Sequence, residues 1–382
     1  MLSRRSVLQG LFGCGVTAAM PELTLARAAT DNRLAVIVLR GAMDGLEAVQ
    51  PYGDAAFRQL RGDNAIDPAT GLIDLDGRFG VRRELAPLAD LYARGELSFV
   101  HAVSTPYRSR SHFEGQDMLE SGAADQPRRD GWLNRLLPLL PEADATALDV
   151  ADLPSLILKG DSPVRSWRPN TRVDALEENT LWLRRLYEAD PLFHAAFEAA
   201  LSEGMARAAD EAAELAGYRA IADLAGRALA SDSRIAVFTV PAWDTHANQA
   251  QAVARPLQML AASIETLRER LGPLWGRTAV VAVSEFGRTV RINGNRGTDH
   301  GTGGAMVLAG GLLAGGQGGR VLGRWPGLGE GDLLDDRDLM PTDDVRRYLG
   351  WLLRDLYALP AATIADAIFP GLDLGSDLRL VG

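Results

Sequence analysis

Ala279-Val280-Val281-Ala282-Val283-Ser284-Glu285-Phe286-Gly287-Arg288-Thr289 decides the fold. Five apolar, largely β-branched residues without a polar face make a short strand buried on both sides. The run then opens abruptly into a polar loop. Leu34–Leu39, Leu97–Val103, Ser155–Leu158, Ile235–Val240 and Ala305–Ala309 have the same character and are expected to be strands. Helical patterns lie between them. Leu85–Arg94 and Ala254–Leu271 are amphipathic, and Asp343–Leu359 starts after Pro341-Thr342 and stops before Pro360. Strands alternating with helices predict an α/β fold, a mostly parallel sheet flanked by helices. The stretch Asn179–Ala230 is rich in Ala, Glu, Arg and Leu and predicts a helical insertion over the sheet at about residues 179–230.

The chain begins Ser3-Arg4-Arg5-Ser6-Val7-Leu8, continues through an apolar stretch to Met20, and reaches Ala26-Arg27-Ala28 before Ala29. Charged, apolar and small-residue regions in that order make residues 1–28 a signal peptide, and the paired arginines mark the twin-arginine route. The expected partner is the twin-arginine translocase, and the expected location is periplasmic or secreted. The apolar stretch is short of the roughly 20 residues that a spanning helix needs, so no stable membrane span is expected. Cys14 is the sole cysteine and lies within this segment; lipidation there is a minor alternative. Residues 29–382 therefore offer no disulfide and no thiolate, and are read as one domain. Net charge is −10, and removal of three arginines and one glutamate takes it to −12. Such an acidic chain disfavours nucleic acid as a partner.

Ligands of open α/β sheets bind beyond the carboxyl ends of the strands, and there the chemistry collects. Asp44 follows the first strand within Gly41-Ala42-Met43-Asp44-Gly45; it can face a metal or simply shape a turn. Ser104 to Asp117 holds Arg108, Arg110, Ser111 and His112 in a loop entering a helix, an arrangement suited to an anion. Asp244 and His246, two apart on an extended segment, point the same way and suit zinc or manganese. Glu285 and Arg288 follow a strand, and Asp299-His300 precedes the last one. His101, inside a strand, and His194, in an alanine-rich helix, read as structural.

Together, Gly41 to Leu46, Thr105 to Asp117, Asp244 to Gln249, Ser284 to Thr289 and Gly297 to Gly301 resemble the bacterial family of domain of unknown function 1501. That family looks like a remote branch of the alkaline phosphatase and sulfatase superfamily. The resemblance implies an alkaline-phosphatase-like fold with one or two divalent ions, Zn, Mn, Mg or Ca, held by Asp44, Asp244, His246, Glu285, Asp299 and His300. It implies a hydrolase of a small anionic ester, a phosphate or sulfate, with Arg110 and Arg288 on the equatorial oxygens. Two positions depart from the superfamily pattern. Phe286 stands where a ligating histidine is usual, and His112 falls on the usual nucleophilic serine, with Ser111 beside it. Four roles stay open there: Ser111 as nucleophile, His112 as phospho-acceptor, His112 as acid–base, or attack by a metal-activated water. The same departures leave room for a non-catalytic periplasmic binding or assembly protein that kept the fold.

Overall fold

The computed structural model describes residues 30–125, 128–141, 146–151, 154–167 and 211–382. The expected signal peptide, His194 and most of the expected insertion lie outside those residues.

Nine strands form the main sheet: β1 (Arg33–Leu39), β2 (Leu97–Ser104), β3 (Ala147–Val150), β4 (Arg165–Trp167), β5 (Ile235–Val240), β6 (Thr278–Ser284), β7 (Gly304–Ala309), β8 (Val321–Leu322) and β9 (Asp343–Asp344). The spatial order is β8-β2-β7-β6-β1-β5-β3-β4, with β9 beside the end of β2. All pairings are parallel except those of β7, which runs antiparallel to both β2 and β6. The sheet is thus mostly parallel and mixed, flanked by helices. β1 at its centre is wholly buried. Leu34, Val36 and Val38 join one apolar cluster with helices α3 (Trp132–Leu136) and α6 (Val345–Tyr357) and the chain's end. Ala35, Ile37 and Leu39 join the opposite one with α4 (Glu211–Ala230) and α5 (Ala254–Leu271). Period-two alternation delivers successive side chains to both faces, so both need a helical layer.

Two expected elements differ. Ser155–Leu158 is not a strand: Leu156–Leu158 is a 3₁₀ turn, and the strand lies earlier at β3. Asp149 on β3 accepts the Ser155 N–H and hydroxyl, both at 2.8 Å, which folds the chain back on the strand it has just left. Leu85–Arg94 is not one continuous α-helix. It divides into a 3₁₀ segment, Arg83–Leu88, and a short helix, Ala89–Ala93, because Pro87 lacks the donor that a continuous ladder needs.

Register places the site. Leu39 lies across from both Val240 and Ser284, so β1, β5 and β6 end level. The loops that follow leave side by side. Gly41 adopts φ 115°, and a Cβ there would meet the Asp244 nitrogen at 2.6 Å, so only glycine lets the first two loops touch. Because β7 is antiparallel, the segment that precedes it reaches the same edge, which brings His300 there.

Beneath the first loop lies a buried charge network. Asp44, the N-cap of α1 (Gly45–Ala48), accepts both Arg61 Nη1 and Nη2, at 2.6 and 3.0 Å. Arg61 reaches Glu47, and Arg82 joins Glu47 to Glu84. Three carboxyls face two guanidiniums. Glu47 is fully buried, and that burial pushes its pKa up to about 7 although Arg61 and Arg82 pull the other way. A folded-state pKa above the ordinary 4.5 means that folding binds a proton: Glu47's contribution is full at low pH and is lost as pH rises to about 7. Glu47→Gln removes this dependence. The wild-type unfolding free energy, measured in urea, should therefore gain on the variant's as pH falls from about 7 to about 5; a constant difference refutes the assignment.

Candidate metal centre

Three imidazoles and one carboxylate meet at the level ends of the strands. Nε2 of His300 lies 3.0 Å from Nε2 of His112 and 3.0 Å from Nε2 of His246. Asp244 Oδ1 lies 3.4, 2.9 and 3.2 Å from Nε2 of His112, His246 and His300. His112 opens helix α2 (His112–Ser121) after β2; Asp244 and His246 follow β5; His300 precedes β7. His112 is buried, whereas the side chain of His246 is 45 % exposed, so solvent reaches the cluster from the His246 side.

Each ring's remaining nitrogen faces an acceptor. His112 Nδ1 lies 2.7 Å from Glu285 Oε1, and His300 Nδ1 lies 2.9 Å from the Arg110 carbonyl oxygen. His246 Nδ1 faces Asp299 Oδ1 at 3.6 Å. In His112 and His300 these partners place the ring hydrogen on Nδ1 and aim the Nε2 lone pairs of the neutral rings inward. Lone pairs 3.0 Å apart repel unless a proton or a cation lies between them. Four donors bound tetrahedrally at about 2.0–2.1 Å stand roughly 3.3–3.4 Å apart. Asp244 Oδ1 and the Nε2 atoms of His112 and His300 are mutually close, at 3.0, 3.2 and 3.4 Å, near that figure, so these three fit a metal ion, and His246 Nε2 stands beside His300 and Asp244 as a fourth donor. Without one, protons take its place. Burial lowers the His112 pKa, but hydrogen bonds to Asp244 and Glu285 outweigh it and raise it to about 9. His246 is raised by its bond to Asp244. Burial opposes ionisation of Asp244, yet bonds from the three imidazoles and the Arg288 charge hold it far below the carboxylate range.

The other expected ligands stand outside the cluster. Asp44 spends its carboxylate on five hydrogen bonds, to Leu46 N, Glu47 N, both Arg61 terminal nitrogens and Gln249 Nε2. Glu285, fully buried, accepts from Gly41 N, Ala42 N, Gln116 Nε2 and Ser284 Oγ as well as His112. Burial pushes its carboxyl up and His112 brings it below its ordinary value. Its place is behind the ring. Asp299 is exposed and accepts from Asn293 Nδ2, which lowers its pKa. The expected anion-binding arginines are also engaged: Arg110 on Asp338 at 2.8 Å and Arg288 on Asp244 at 2.7 Å. Arg108 in the same loop has no carboxylate at ion-pair distance among the described residues; its Nη1 donates to the Ser104 hydroxyl and to the Thr105 and Tyr107 carbonyls. Ser111 caps α2 through its backbone carbonyl, its side chain makes no cap bond, and among the described residues no histidine or carboxylate is hydrogen-bonded to its hydroxyl. Phe286 stacks on His112 with ring centres 5.1 Å apart and lies 5.5 Å from His300, a wall beside the cluster.

Sequence reasoning placed His112 with the nucleophile. Its shared position with His246 and His300, next to strand ends, was the signal that it belongs with them. The loops also hold strained backbone. Ala42, Arg110, Ala242, Asn248 and Arg296 have positive φ without being glycine. Two of them present groups to the site: the Ala42 N–H to Glu285 and the Arg110 carbonyl to His300.

Outer partners of this kind set ring orientation, and their loss costs about 10- to 100-fold in metal affinity. Glu285→Gln should weaken Zn²⁺ binding within that range in a competition titration; unchanged affinity rules out the supporting role.

The sequence profile described as "Protein of unknown function (DUF1501)" matches residues 100–350. No curated protein matches the chain. Among solved structures, Ps i-CgsB in complex with k-i-k-neocarrahexaose aligns with a TM-score of 0.40 and 10% identity, covering 87% of this chain and 73% of that one. A likeness that distant carries neither fold nor function across. The profile spans about two thirds of the sequence, and the chain belongs to the DUF1501 family.

Proposed function

We propose that the protein is an extracytoplasmic metal-dependent hydrolase of phosphate or sulfate esters, with one divalent ion held by His112, Asp244, His246 and His300. One observation carries the reading: three Nε2 atoms and Asp244 Oδ1 converge while the far nitrogens of His112 and His300 are hydrogen-bonded to acceptors and that of His246 faces Asp299. An imidazole-rich set with one carboxylate suits Zn²⁺ or Mn²⁺ better than Mg²⁺ or Ca²⁺. Such an ion supplies Lewis acidity toward a phosphoryl or sulfuryl oxygen. Around it, Arg288 holds Asp244 ionised, Phe286 excludes water from the His112 side, and the exposed edge of His246 admits substrate. Arg108 is the loop's guanidinium left to an anionic group. The level strand ends and the family membership support descent from an alkaline-phosphatase-like fold. Arg4-Arg5 and the Ala26–Ala28 site support export by the twin-arginine translocase, which carries folded proteins. No described helix is long and apolar enough to cross a membrane.

A second reading rests on the absence of a base hydrogen-bonded to Ser111 among the described residues and on Arg110 and Arg288 both being matched by carboxylates. It is a periplasmic anion-binding or assembly protein that keeps the metal and performs no turnover.

Protein purified from the exported fraction should carry about one equivalent of Zn or Mn, and His300→Ala should lose it; less than about half an equivalent in wild type refutes the metal centre. A panel of phosphate mono- and diesters and aryl sulfates separates the two readings. Turnover abolished by chelation supports the hydrolase. Metal-dependent phosphate or sulfate binding without turnover supports the binding protein.

A further inference from the structure

Gln249 is fully buried, has no side-chain hydrogen bond to the cluster among the described residues, and has both ends of its amide committed. Its Nε2 donates to Asp44 Oδ2 at 2.7 Å, and its Oε1 accepts the Thr298 hydroxyl at 3.2 Å. That hydroxyl in turn accepts Arg288 Nε at 3.1 Å. Arg288 Nη2 donates to the Thr298 carbonyl at 3.0 Å, and Nη1 reaches Asp244 Oδ1 at 2.7 Å. A continuous, buried hydrogen-bond path thus joins the Asp44–Arg61 ion pair to the carboxylate at the heart of the cluster.

We propose that Gln249 and Thr298 are positioning residues for the metal centre, acting on Asp244 through Arg288; the proposal rests on the metal-centre reading above. The direction of each bond makes the path specific. Asp44, pinned by Arg61, can only accept, so the Gln249 amide must turn its nitrogen toward it and its oxygen toward Thr298. The Thr298 hydroxyl must then donate to Gln249, and its lone pair is left for Arg288 Nε. Two bonds from one residue, the Thr298 hydroxyl and carbonyl, fix the plane of the guanidinium. Nη1 is thereby aimed at Asp244 Oδ1, the oxygen that the three Nε2 atoms surround. A flipped amide would set oxygen against the Asp44 carboxylate and leave the hydroxyl with two donors, so the path has one arrangement. It also gives the buried charge of Arg61 no part in binding the ion directly: Asp44 and Arg61 are the anchor, and Gln249 and Thr298 transmit the orientation.

The test uses the full exported protein with Co²⁺ as the probe, read by visible absorption and by competition for affinity. Thr298→Val keeps the volume and removes the hydroxyl, Gln249→Met keeps the length and removes both amide bonds, and Thr298→Ser restores the hydroxyl. Thr298→Val and Gln249→Met should each weaken Co²⁺ binding on the order of 10-fold and alter its absorption bands, while Thr298→Ser stays within about 2-fold of wild type. A purely architectural role would lower the melting temperature of the valine and methionine variants and leave affinity and spectrum alone, and that result overturns the proposal. Should Gln249→Met fail to fold, the Thr298→Val and Thr298→Ser pair decides it. If wild type takes up no Co²⁺, the metal-centre reading fails and this inference falls with it; if wild type binds and Thr298→Val binds equally, only this inference falls.

Discussion

The constraint on which the site depends is the common level at which β1, β5 and β6 end. Parallel neighbours in register, with Leu39 facing both Val240 and Ser284, release three loops from one line on the sheet. Each loop is then only a few residues long before its functional side chain appears: Asp44, Asp244 and His246, and Glu285. Short loops leave little room for wandering, so side-chain positions follow from strand register with small entropic cost. The antiparallel β7 adds what a purely parallel sheet does not provide. It brings a segment in from the opposite chain direction, and His300 closes the cluster from that side.

Burying so many charges is costly, and the loops are arranged to limit the cost. A buried ion is tolerated when its lone pairs and protons are all matched. Arg61 shows this: its nitrogens reach Asp44, Glu47 and the carbonyls of Thr289 and Val290. Glu285 shows it as well, with its carboxylate taken up by four residues besides His112. Where carboxyls outnumber guanidiniums, around Glu47, burial raises the pKa and the excess charge is removed by a proton. At the cluster the same demand falls on His112 and His246, both shifted toward the protonated form. The proton stands where a cation would.

Much of the architecture was legible in the residues. Apolar, β-branched runs with turn signals at both ends marked β1, β2, β5, β6 and β7 to within a residue or two, and α5 was marked to its ends by its amphipathic period. The miss at Ser155–Leu158 has a local cause: its composition suits a strand, but Asp149 captures Ser155, and tertiary contacts override propensity. In the site, His112, His246 and His300 could be grouped because all three adjoin strand ends. The acids could not be sorted. An aspartate between glycines reads alike whether it faces an ion or an arginine, and Asp44's partner, Arg61, belongs to a separate short helix. Gln249 and Thr298 carry no chemical signature at all, and their roles come only from three-dimensional neighbours.

The reversed strand has a consequence for how the molecule assembles. His112 and His300 meet across 188 residues, and His246 joins from a third segment. Contacts of such sequence separation form only after most of the chain has been ordered. A cation that binds them together therefore favours the native state, by mass action on the whole folding equilibrium rather than on one loop. The cluster thus reports on the middle of the sheet: its donors come together once β2, β7, β6, β1 and β5 stand side by side.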